Sequence, residues 1–190
     1  MPALGTIEVR ACWCHEGRPA ELVRELKYGR ATTAVTPLAD AMAPLVPPVD
    51  MITWAPASTE RRRSRGFDQA ELLARAVANR AGVKVRRLVR RGCDTPQTAR
   101  DRAGRMAGPS LVPVGRRFQR LPSVLVVDDV ATTGATLRAM AVLLRKRGAG
   151  DVFGLVATQA VMREQGDAST CWYHPPCGKG VPSDLHHYRR

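Results

Sequence analysis

The chain has 190 residues, enough for one ordinary globular domain with a full core, and its 44% apolar and 25% charged residues argue against wholesale disorder. Its longest apolar runs fall far short of the roughly 20 residues a spanning helix needs, and its start lacks the basic, apolar and small-residue regions of a secretory signal, so a cytoplasmic protein without a membrane partner is expected. Against 17 acidic residues stand 30 Lys and Arg, a net +13 that implies an anionic partner without choosing among nucleic acid, phosphorylated metabolites and acidic headgroups. Residues 60–105 alone hold 14 basic and 5 acidic residues, +9 of the total, so the charge is concentrated in the middle.

In chain order, residues 1–17 read as a lead-in whose first ten residues are mobile. Ala20, Leu22, Val23 and Leu26 share one face of a helix over 18–28, and Leu38, Ala41, Met42 and Leu45 one over 36–45 that Pro44, Pro47 and Pro48 end. The β-formers of 49–55 predict a strand closed by Pro56. Asp68 caps a helix over 69–80 with Leu72, Leu73, Ala76 and Val77 inward. Alternating apolar and basic residues predict a strand over 83–89 with one solvated face, and 93–122, without a sustained period, reads as long loops. The apolar run 124–127 is a buried strand, followed by a polar turn, a helix over 135–147 and a strand over 152–157. Strand, helix, strand with such apolar strands is the signature of a parallel sheet covered on both faces, so the fold class is α/β. A domain over 18–162 and a disordered tail over 163–190 complete the expectation.

Five cysteines, Cys12, Cys14, Cys93, Cys171 and Cys177, form an odd, scattered set that reads as reduced thiols. Cys12, Cys14 and His15 with Cys171, His174 and Cys177 are ordinary zinc-ligand types. They lie at opposite ends of the chain without paired CxxC spacing, so no zinc site is assigned.

The informative stretch is VLVVDDVATTGAT, residues 124–136. A buried strand delivers Asp128 and Asp129 to its carboxyl edge, where ligands of open α/β sheets bind. Small residues in the following loop let backbone N–H groups approach an anion. The helix N-terminus adds partial positive charge, and Thr132, Thr133 and Thr136 add hydroxyl donors. Two carboxylates beside a phosphate cradle suit sugar hydroxyls or hydrated Mg²⁺, and a ribose 5-phosphate satisfies both halves. There is no GxxxxGK[ST], and no GxGxxG follows a strand.

These 13 residues resemble the phosphoribosyl-pyrophosphate (PRPP) binding motif of type I phosphoribosyltransferases. The resemblance implies that family's parallel sheet flanked by helices, with a small hood from the chain ends. It also implies that Asp128 and Asp129 hold the ribose hydroxyls, directly or through Mg²⁺, while Ala131, Thr132, Thr133, Gly134, Ala135 and Thr136 hold the 5-phosphate. The runs ELVRELKYGR (21–30), WAPAS with RRRSRGFDQAELLA (54–74) and 97–105 resemble the ComF family, whose members carry a phosphoribosyltransferase domain. On that resemblance the turn after the Trp54 strand is a pyrophosphate-binding loop with Ala57, Ser58, Arg61 and Arg65, and Arg62 and Arg63 close by. Gln97, Arg100, Arg102 and Arg105 fall on a mobile flap, and Lys27 and Tyr28 are carried over with the first run. Asp128, Asp129, Arg65 and Arg105 are the catalytic candidates. The chain departs from the family in three places: the N-terminal cysteine zinc finger is missing or reduced to Cys12 and Cys14, Asp68 replaces an Asn, and Gly108 replaces another.

The expected function is therefore phosphoribosyl transfer from PRPP with Mg²⁺ to a nitrogen acceptor, pyrophosphate leaving, by a protein for which a homodimer is open. The alternatives are a non-catalytic ComF-like module in competence or DNA uptake that binds nucleic acid, and a PRPP-sensing regulator. With three each of Trp, Tyr and Phe, stacking platforms for single strands are scarce, whereas backbone binding is open.

Overall fold

The structure, a computed structural model, describes residues 7–28, 31–92 and 110–160. The elements are β1 (Glu8–Cys14), α1 (Gly17–Lys27), α2 (Ala31–Met42), β2 (Met51–Trp54), α3 (Thr59–Arg65), α4 (Gln69–Ala81), β3 (Val89–Arg91), β4 (Leu111–Pro113), β5 (Val124–Ala131), α5 (Ala135–Lys146) and β6 (Val152–Gln159). Four strands form a parallel sheet in the order β1-β6-β5-β2, and β3 and β4 pair antiparallel in a separate two-stranded sheet.

Strand alternation explains why 124–127 is apolar throughout. Leu125 and Val127 pack with Leu26, Leu38, Leu73 and Val77 from α1, α2 and α4, whereas Val124 and Val126 pack with Leu137, Met140 and Leu144 from α5. Every position of the run is buried because helices cover both faces. The α5–β6 turn is pressed against residues 118–121. A Cβ at Gly148 would stand 2.9 Å from the Phe118 carbonyl and one at Gly150 2.8 Å from that of Leu121, so only glycine fits there.

The α/β class and the parallel sheet agree with the sequence reading, but five elements differ from it. Glu8–Cys14, expected within a lead-in, is an edge strand in register with Phe153–Gln159, because the backbone bonds to β6 carry it without an apolar pattern. The strand expected over 83–89 reduces to a single bridge from Val85 to Ile52, and the regular strand is Val89–Arg91. The arginine-rich turn after β2 is a short helix, α3, and the long-loop region 93–122 contains β4. β5 runs past the apolar stretch through both aspartates to Ala131, held by β6. The parts of the expected hood and tail at 1–6 and 161–190, and the flap residues 97–105, lie outside the described residues.

Candidate functional site

Parallel pairing brings the carboxyl ends of all four strands to one edge. There the Ala55 N–H donates to the Val127 carbonyl (2.9 Å) and the Ala160 N–H to the Ala131 carbonyl (2.9 Å), so the exits of β2, β5 and β6 are tied together. Asp128 and Asp129 sit at this edge within β5. The Asp129 N–H donates to Asp128 Oδ1 (2.8 Å) and the Val130 N–H to Asp129 Oδ1 (2.8 Å), which fixes both carboxylates against the strand. Burial, and then the neighbouring Asp129 charge, push the Asp128 carboxyl well above the usual carboxylate range; the Asp129 N–H and the Lys27 charge oppose this. The strain is partly answered by Lys27 at the end of α1, whose Nζ lies 3.2 Å from Asp129 Oδ2, both side chains being largely buried (23% and 15% exposed).

On one side of the acid pair lies a small cavity of about 50 Å³, lined by Asp128 and residues 130–137. It contains every residue assigned to the 5-phosphate. Gly134 adopts φ +67°, the left-handed region that favours glycine, and starts α5 there. Its turn aims the first N–H groups of the helix, which have no intrahelical acceptor, into the loop. The Thr133 hydroxyl accepts from the Ala135 N–H (3.3 Å), and the Thr133 carbonyl accepts from Arg138 (2.6 Å), placing a guanidinium beside the loop.

On the other side is a groove of about 610 Å³ between the end of α1 and α3, lined by Lys27, Tyr28, Glu60, Arg61, Ser64, Arg65 and Phe67. α3 has no buried residue and depends on its caps. The Ser58 hydroxyl accepts from the Arg61 N–H (3.3 Å), and Gly66 closes the helix with φ +77° and an N–H to the Arg62 carbonyl (2.9 Å). Arg61 and Arg65 thus face the groove, while Ala57 and Ser58 are not among its lining residues. The Ala57 N–H donates to Asp68 Oδ2 (3.1 Å) and the Ser58 side chain is engaged as a cap. Asp68, buried, also accepts from the Glu71 N–H (3.4 Å), clipping the β2–α3 turn to the start of α4. Burial raises its carboxyl, and these two hydrogen bonds oppose the rise.

The structure therefore joins Asp128, Asp129, the threonine loop, Arg61 and Arg65 along one edge, whereas Arg105 lies outside the described residues. Sequence reading carries Lys27 and Tyr28 by resemblance alone and misses Arg138. The spacing holds a usable signal for Arg138, which stands one helical turn beyond the loop glycine.

The acid pair offers hard oxygen donors that suit Mg²⁺. Two carboxylates are typical of sites where substrate phosphates and waters complete the octahedron, and among the described residues no group of three or more His, Cys, Asp and Glu gathers as a metal site. Of the zinc-type residues, Cys171, His174 and Cys177 lie outside the described residues. Burial pushes the Cys12 thiol up to about 12, and His15 Nδ1 is 2.7 Å from the Thr158 hydroxyl. Chemically, the edge combines a small cavity lined by threonines at a helix start, a carboxylate pair, and a groove lined by two arginines and a lysine.

No protein-family model matches the chain. It is similar to the competence protein ComFC of Streptococcus pneumoniae, 32% identical over 105 residues that cover 53% of this chain and 45% of that protein, so the chain spans less than half the length of this curated relative. Solved structures with a similar fold include glutamine PRPP amidotransferase from B. subtilis complexed with ADP and GMP, at 19% identity over 64% of this chain and 25% of that one with a TM-score of 0.47. Adenine phosphoribosyltransferase from Thermoanaerobacter pseudethanolicus is another, at 17% identity over 70% of this chain and 83% of that one with a TM-score of 0.46. The stretch shared with the competence protein covers about half of this chain, and the fold itself is a parallel sheet flanked by helices. Among the described residues no helix is long and apolar enough to cross a membrane.

Proposed function

We propose that this protein binds PRPP with Mg²⁺ and transfers its phosphoribosyl group to a nitrogen acceptor. One observation carries the reading: the acid pair stands between a threonine-lined cavity and an arginine-lined groove, with Asp128 lining the cavity and Asp129 paired to a lysine that lines the groove. PRPP has the same order of groups, a phosphate, a polyol ring and a pyrophosphate. The 5-phosphate occupies the loop of Ala131 to Thr136 on the N–H groups of α5, with Arg138 at its rim. Asp128 and Asp129 would hold the ribose hydroxyls, directly or through Mg²⁺, which when bound would offset phosphate charge. Arg61, Arg65 and Lys27 receive the pyrophosphate, and the guanidinium forks match its oxygens.

In the reaction the C1–O bond to pyrophosphate breaks, with the electron pair leaving on the pyrophosphate. The lone pair of the acceptor nitrogen forms the new bond to C1, and the nitrogen's proton passes to water. Positive charge that develops on the ribose lies near the two aspartates, and negative charge on the leaving group lies near the arginines. Fixed charges of this kind lower the barrier without covalent catalysis.

Calorimetry with PRPP and Mg²⁺ tests the site. Wild type is expected to bind and the Asp128→Asn/Asp129→Asn variant to lose at least tenfold in affinity; equal affinity, or no binding by either, would refute the ligand. A screen of nucleobases and ammonia with pyrophosphate detection tests transfer, and PRPP binding without turnover on any acceptor would favour a regulator.

A second reading is a nucleic-acid-binding module. It is favoured by the exposed Arg61, Arg62 and Arg63 on α3, none of which has an ion pair among the described residues. Single-stranded DNA affinity that falls steeply with salt would support it, and absent or salt-independent binding would reject it.

A further inference from the structure

Arg65 is held more tightly than a surface arginine needs to be. Its guanidinium carbon lies 5.6 Å from the centroid of the Tyr28 ring, within cation–π range, and its Nη1 donates to Gln69 Oε1 at 3.1 Å. Gln69 is 3% exposed, and its amide Nε2 is buried with no hydrogen-bond partner among the described residues. Turning the amide over would aim its NH₂ at the guanidinium, so the orientation that serves Arg65 is also the one that leaves Nε2 unpaired. A buried donor without a partner is unfavourable, and native chains retain such groups where a function depends on the geometry. Tyr28 is equally unusual as a large side chain that is 76% exposed, with Arg65 stacked on its ring at the groove wall.

We propose that Tyr28 and Gln69 are positioning residues that clamp the Arg65 guanidinium in the groove as a preset receptor for the leaving pyrophosphate. The inference rests on the reading of the groove as the pyrophosphate site and adds residues to which that reading gives no role. An unheld arginine must give up several rotamers when it meets an anion, and a clamped one has already done so. The gain therefore appears in affinity for the anion rather than in stability. The clamp also joins two parts of the site: consecutive residues of the α1 end reach Asp129 through Lys27 and Arg65 through Tyr28.

The test is calorimetric binding of inorganic pyrophosphate with Mg²⁺, and separately of ribose 5-phosphate, by wild type, Tyr28→Ala, Tyr28→Phe and Gln69→Leu, with thermal unfolding of each. Tyr28→Ala and Gln69→Leu are expected to weaken pyrophosphate about three- to tenfold, the range of a single cation–π or charged hydrogen-bond contact, with ribose 5-phosphate unchanged. Tyr28→Phe keeps the ring and is expected to stay within about twofold of wild type. Gln69→Leu removes the unpaired buried donor, so it is expected to unfold at or above the wild-type temperature, which separates lost affinity from lost folding. Wild-type affinity in both Tyr28→Ala and Gln69→Leu, equal losses for both ligands, or a Tyr28→Phe as weak as Tyr28→Ala would overturn the clamp. A wild type that binds ribose 5-phosphate but no pyrophosphate would overturn the groove assignment itself, and the clamp with it.

Discussion

Replacing Lys27 by Met should expose how the acid pair is tolerated without a ligand. The ammonium is 3.2 Å from Asp129, and both side chains are largely out of solvent. At that distance and an effective dielectric near 20, Coulomb's law gives about 5 kcal/mol of gross attraction. The desolvation of lysine that folding requires, and the residual solvent access of both groups, reduce this to a net loss of about 1–3 kcal/mol on truncation. For a domain of this size that corresponds to a melting temperature lower by roughly 3–10 °C. Because the loss comes from two carboxylates left without a cation, neutralising one should repair it: Lys27→Met/Asp129→Asn is expected to recover at least half of the deficit. Mg²⁺ should also stabilise Lys27→Met more than wild type, since the metal then competes with no ammonium. Urea and thermal unfolding of the single and double variants, with and without millimolar Mg²⁺, measure all three effects. A Lys27→Met protein as stable as wild type, or a double variant no better than the single, would refute the reasoning.

Asp128 provides a pH signature. Its carboxyl is raised in the folded chain, so folding takes up a proton between the unfolded value near 3.9 and the higher folded value; stability therefore falls as pH rises through that window, by about 1.4 kcal/mol for each pH unit it spans, and is flat above it. Asp128→Asn is expected to flatten this fall and to be the more stable protein at pH 7 in metal-free buffer, read by urea unfolding from pH 4 to 8; an unchanged slope would count against the buried acid pair. Gly134→Ala is expected to destabilise by about 1–2 kcal/mol through its left-handed backbone, because the added Cβ meets only the flexible end of Arg138 at 3.4 Å. It should also weaken ribose 5-phosphate several-fold in calorimetry, and an unchanged affinity would remove the loop from the phosphate site.

The legible parts of this chain are those whose pattern is dictated by burial. The 124–127 run, the α4 and α5 stripes and the glycine-bearing loop are readable because two covered faces, helical periodicity and a left-handed turn each restrict residue type directly. β1 is hidden because EVRACWC is held by its ladder to β6, a tertiary pairing that no local pattern announces. α3 is hidden because TERRRSR lacks an apolar face; two caps and the Asp68 clip hold it. For the same reason β5 reads as ending at its first aspartate, since acidic residues lower the local strand signal while β6 continues the hydrogen bonding. The acid pair and the arginines are visible as residue types, but the Lys27–Asp129 pair, the Tyr28–Arg65 stack and the Gln69 contact join segments distant in sequence or depend on side-chain geometry.

That continuation of β5 through its aspartates has a mechanical meaning. Asp128 is in register with Val156, Val130 with Thr158 and Ala131 with Gln159, so the backbone under the acid pair is still laddered to β6, on one side only because the β2 register ends at Val127. Of the stretch Ala131 to Thr136 only Ala131 belongs to the strand, and the loop proper begins at Thr132. A ligand spanning both would therefore meet one segment braced by the sheet and one that lies outside it. On the proposed reading, the ribose would lie against the braced strand and its phosphate against the loop beyond it.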